Sequence, residues 1–171
     1  MPWLLLLVPF AIVAYFFAAP PPPPTPAAAD REAYAVAAAL METHQAALTY
    51  AANFPLATGP IPTTGTPSLI TLLPPSWSAP LGITIVSCIG TPAEHRAVAT
   101  WTTAATPPPS RVSRALAAQS GHFSDAGQIN INPTLPAQVV PPTATPDYTF
   151  PSTSCPMPST PTAVLVTHTL P

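Results

Sequence analysis

Outside the two cysteines, the chain's reactive side chains are four histidines, six acids and four arginines, with no lysine among its 171 residues. Glu42 and His44 stand two apart in a helical pattern, so they leave the helix on different sides. They form neither a metal pair nor an acid/base pair, and both read as solvated helix residues. Glu94, His95 and Arg96 fall in a predicted hairpin turn, where charge is expected on solvation grounds alone. His122 and Asp125 lie in the loop GHFSDAG with Ser120 and Ser124 close by. No nucleophile elbow and no oxyanion glycine pattern accompanies them, so a hydrolase is not supported. His168 reads as a sheet-surface residue. These residues make no catalytic set, and the chain is expected to be no enzyme, with no cofactor, no metal and no small-molecule substrate.

Cys88 and Cys155 are the only cysteines. An even pair beyond an export element reads as one disulfide in an oxidising compartment. Closing a loop of about 66 residues stabilises a small domain by roughly 4 kcal/mol in the chain-entropy account. The alternatives are two unrelated buried thiols, or metal ligation, for which no CxxC or Cys/His spacing exists.

Charged residues make up 6% of the chain and the net charge is −2, while 47% is hydrophobic. Without a basic excess there is no footprint for a phosphate backbone, so nucleic acid is excluded as a partner. Twenty-nine prolines and six glycines point to a small folded domain threaded with stiff loops.

Residues 3–19 (WLLLLVPFAIVAYFFAA) carry no charge, and their length sits at the lower limit for a bilayer-spanning helix. Pro9 is tolerated better in a membrane helix than in water. The predicted organisation is therefore a transmembrane anchor over 1–19, a proline-rich linker over 20–29 and an α+β domain over 30–171. A cleaved signal peptide is the rival reading, but no basic start precedes the apolar run and Pro20–Pro24 follow the small pair Ala18–Ala19. A buried core helix is the remaining alternative. The five consecutive prolines set a polyproline II spacer that holds the domain roughly 20 Å from the membrane. A ligand for a proline-reading domain is the alternative there.

Asp30 opens the longest helical pattern, an alanine-rich stretch that Pro55 and Gly59 end. Tyr34, Ala37, Ala38, Met41, Leu48 and Ala52 recur at helical spacing and predict the side that meets a sheet. Residues 55–80 read as loop with one short apolar piece at 69–73. Residues 81–90 (LGITIVSCIG) predict a strand with Ile83, Ile85 and Ile89 on one side and Val86 and Cys88 on the other. Residues 96–103 are its hairpin partner across the turn 91–95. A second helix runs from an N-cap at Ser110 to Gly121. Short strands are predicted at 128–132 and 163–169, with 133–161 as proline-punctuated loop. Trp77 and Trp101 read as core or rim packing, with contact to a partner as the alternative.

More specific is a succession of small features: HQAALTYAANFPLATGPI, then LLPPSW at 72–77, a hairpin, RALAAQSGHFSDAGQI at 114–129, and LPAQVV. This succession resembles the PilM family of small inner-membrane proteins from thin-pilus, type IVb pilus systems, over about residues 30–142. The linker, the cysteine pair and the tail after Asp147 have no counterpart in that pattern, and the family lends no catalytic residues. The order of elements, a hydrophobic N-terminus, a long Ala-rich helix and then a small antiparallel sheet with a late disulfide loop, is itself pilin-like, and the resemblance implies a place in the periplasm. Its role would be a structural or accessory part of type IV pilus biogenesis. Residues 3–19 would lie in the bacterial inner membrane, and other pilus assembly proteins would be the partners. A free-standing periplasmic binding or adhesion domain is the alternative. The expected contact residues are Ala38, Ala47 and Ala51 on the helix, since alanine permits close approach, and Trp77 in its loop.

Overall fold

The computed structural model describes residues 28–91, 96–103, 107–120, 126–130, 138–140, 148–149, 155–156, 158 and 160–168. The expected membrane segment 3–19 and the prolines at 20–24 lie outside these residues. Among the described residues no helix is long and apolar enough to cross a membrane.

Helix α1 spans Ala28–Asn53, so it takes in two alanines assigned to the linker. Alanine is the best helix former, and Asp30 in the first turn suits the positive end of the dipole. The buried side runs through Ala33, Val36, Ala37, Leu40, Thr43, His44, Ala47, Tyr50 and Ala51, in steps of three and four. That side is rotated from the expected one. Tyr34, Ala38 and Ala52 are exposed, while Met41 and Leu48 are half-buried at the margin. Among so many alanines the larger side chains Val36, Leu40 and Tyr50 decide which side turns in.

The end of α1 is closed from a distance. Arg96 donates Nη1 to the Ala51 carbonyl at 2.8 Å and Nη2 to the carbonyls of Phe54 and Ala57 at 2.7 and 3.0 Å. A guanidinium there satisfies carbonyls that the helix leaves over and sits at the negative end of its dipole. Arg96 is thus a capping residue, not only a charge in a turn.

The strands are β1 (Gly59–Pro60), β2 (Ile85–Gly90), β3 (Ala97–Thr102), β4 (Ala126–Asn130), β5 (Gln138–Val140), β6 (Tyr148–Thr149) and β7 (Ala163–His168). Helix α2 (Pro109–Ser120) lies between β3 and β4, and a 3₁₀ turn covers Ile70–Leu72. The described strands form one antiparallel sheet in the order β1-β2-β3-β7-β4-β5-β6. The protein is therefore α+β, as predicted. Strand β2 begins at Ile85 and not at Leu81, because Gly82 turns the chain at φ 75° and Ile83 N–H closes on the Pro80 carbonyl at 3.1 Å. Helix α2 begins at Pro109, one residue before the expected cap, where a missing N–H costs nothing.

Alternation along the strands gives the sheet two apolar faces. Ile85, Ala126, Ala163 and Leu165 meet Val36, Leu40, Val112 and Leu116 of the two helices. Ile89 and Val98 lie under the C-terminal half of α1. On the other face, Cys88, Ala99, Trp101, Ile129, Val164 and Val166 pack with Cys155.

Candidate functional site

The helix rotation separates Glu42 from His44 as the spacing predicts, but the two do not share an environment. Glu42 is exposed; His44 is buried at 4% exposure, so it is no solvated residue. Its Nδ1 lies 3.0 Å from Thr100 Oγ1 on β3 and its Nε2 lies 2.9 Å from Thr167 Oγ1 on β7. Thr100 Oγ1 in turn meets Ser87 Oγ on β2 at 3.0 Å. A neutral imidazole donates through one nitrogen and accepts through the other, so two hydroxyls satisfy it fully. Burial pushes its pKa from 6.5 down to about 4. No carboxylate stands among these partners. The group ties α1 to three strands. Sequence reasoning missed it because hydroxyls 56 and 123 residues away supply its partners.

Glu94, His95, His122, Ser124 and Asp125 lie outside the described residues. Ser120 ends α2 and His168 ends β7, where its backbone pairs with Ala97. Among the described residues no group of three or more His, Cys, Asp or Glu side chains could hold a metal. Cys88 and Cys155 form a disulfide with Cα atoms 5.8 Å apart, linking β2 to Cys155 on the second face of the sheet. Both sulfurs' residues are buried.

The expected contact residues divide. Ala47 and Ala51 have no exposed surface; they pack under α1 with Ile61, Leu69, Ile89 and Val98. They belong to the core and offer a partner nothing, because the inward side of α1 is rotated onto them. Ala38 is exposed, and Trp77 is half-buried against the helix-side core. These two line one open cavity of about 380 Å³, together with Ala35, Glu42, Ser76 and Pro80. The short side chains of α1 form its floor and the indole its wall. The turn that aims Trp77 is closed by its N–H on the Pro74 carbonyl at 2.9 Å. Its indole N–H is buried without a hydrogen-bond partner among the described residues, a condition that costs about 1–3 kcal/mol. Trp101, by contrast, is a core residue at 2% exposure on the disulfide face.

The surface is concave, with alanines, Trp77 and Pro80 supplying its apolar part and Glu42 its one carboxylate. Comparison with known proteins returns no match among family models, characterised proteins or solved structures.

Proposed function

We propose that the protein is a structural or accessory component of a type IV pilus assembly apparatus, held in the inner membrane by residues 3–19. In this reading its periplasmic α+β domain contacts other pilus proteins. The observation that carries it is the meeting of Ala38 and Trp77 around one cavity. The segment LLPPSW, one of those that carry the resemblance to the PilM family, contributes Ser76 and Trp77 to this surface. A buried disulfide supports an oxidising compartment, and the low charge supports association by fit over electrostatic steering.

The test is a pair of substitutions on the cavity, Trp77→Ala and Ala38→Glu. Each should cut recovery of inner-membrane pilus proteins in a pull-down at least tenfold and reduce piliation, while the circular dichroism of the domain is unchanged. Folded variants that assemble pili at the wild-type level overturn the assembly role. A wild-type chain that recovers no pilus protein, in a strain whose pili persist without it, supports the free-standing binding domain instead.

A further inference from the structure

The exposed side of α1 has its own pattern. Arg31, Ala35, Ala38, Glu42, Gln45 and Thr49 follow one another in alternating steps of four and three, and every one is exposed. That spacing lines them up along a single stripe opposite the buried side. The alanines alone specify nothing; the two charges do. Arg31 and Glu42 are eleven residues apart, about 16 Å along the helix, so they cannot reach each other within one chain. Neither has an ion-pair partner among the described residues, whereas Asp30 is engaged by Arg111 at 3.4 Å.

We infer that this stripe pairs with the same stripe of a second copy of the chain, in antiparallel register, with Arg31 of each copy facing Glu42 of the other. The midpoint of Arg31 and Glu42 falls between Val36 and Ala37, and so does the midpoint of Ala35 and Ala38. One two-fold axis therefore satisfies both pairs: Ala35 faces Ala38 of the second copy across the cavity floor that Trp77 borders, and both ion pairs form. Such an isologous contact is the commonest route to a closed dimer. Small residues at the crossing let the backbones approach, and charges flanking an apolar seam fix orientation. A parallel pair would set Arg31 against Arg31 and is disfavoured by like charge. Tyr34, 45% exposed, flanks the stripe beside the same midpoint, so both copies' rings lie next to the axis. The helices would start about 25 Å apart at their Ala28 ends.

This pairing rests on the exposed side of α1 being a contact face, as proposed above, but it forms between copies of the chain with no pilus protein present. The full chain in detergent is followed by sedimentation equilibrium over a wide concentration range. The wild type should form a dimer that weakens as salt rises. Arg31→Glu and Glu42→Arg should each raise the dissociation constant at least tenfold, and the double variant R31E/E42R should return it to within about threefold of wild type. Arg31→Gln and Glu42→Gln, which remove a charge without reversing it, give smaller rises and carry the test if a reversal disturbs folding. A wild type that stays monomeric, single variants without effect, or a double variant without rescue each overturns the pairing. Any of these results leaves the Trp77 pull-down as it stands.

Discussion

The sheet has two apolar faces and closes them by different means. On one side α1 and α2 bury Val36, Leu40, Val112 and Leu116 against Ile85 and Leu165, with His44 hydrogen-bonded between Thr100 and Thr167. On the other side, Trp101, Val164 and Val166 pack with Cys155, which a covalent bond holds to Cys88. The helix side is held by packing and hydrogen bonds, whereas at Cys155 a covalent link adds a constraint on the unfolded chain.

The comparison is broken most sharply at the disulfide. The double variant Cys88→Ala/Cys155→Ala should lose about 4 kcal/mol of unfolding free energy in urea titrations. The two indoles separate the faces, once Trp3 is replaced by Phe: emission of Trp101 should shift towards that of an exposed ring while Trp77 changes little. Equal changes at both would show that the faces do not respond independently.

Acid should act on the helix side alone. Burial favours the neutral ring of His44, so its folded-state pKa of about 4 lies below the unfolded value of 6.5. The unfolded chain then binds the extra proton between those values, and stability is complete above pH 6.5 and falls as pH drops towards 4. The loss is on the order of 3 kcal/mol. His44→Gln should flatten this dependence by about one proton in urea midpoints measured across that window. An unchanged slope would remove His44 as its source.

The smallest effect is expected where α1 is tied to the hairpin. Arg96→Ala removes three hydrogen bonds, one to the Ala51 carbonyl in the last turn of α1 and two to the Phe54 and Ala57 carbonyls just beyond it, and should cost about 2 kcal/mol. Amide exchange should quicken over the last turn of α1 and remain slow at Leu40. Uniform quickening along the helix would mean that Arg96 supports the whole layer.

The hairpin was legible because its side chains contrast. Ile85 and Ile89 alternate with Val86 and Cys88, and the faces they occupy are those the alternation predicts. Helix α1 was legible as a helix but not in its orientation, since alanine on every side removes the contrast on which period 3.6 depends. Of the residues expected to make partner contacts, Ala38 and Trp77 line one cavity, while Ala47 and Ala51 turn into the core with the rotation. Strands β1, β5 and β6 were missed inside proline-rich stretches. Their pairings, such as Gln128 with Val140 and Gly59 with Ile89, come from partners distant in sequence and leave no local signature. The roles of Arg96 and His44 are set by contacts of the same long range.

The position of β7 has a consequence for how the molecule comes into being. Its neighbours are β3 and β4, so residues 163–168, the last strand in sequence order, occupy the middle of the sheet. Until they emerge during synthesis, β3 and β4 each lack the neighbour that β7 provides, and such unpaired edges can pair with a stranger. Closure must await a long-range event late in the polypeptide, which slows folding relative to a chain of local contacts. A holding chaperone would have its substrate during that interval, and β7 is the keystone whose arrival ends it.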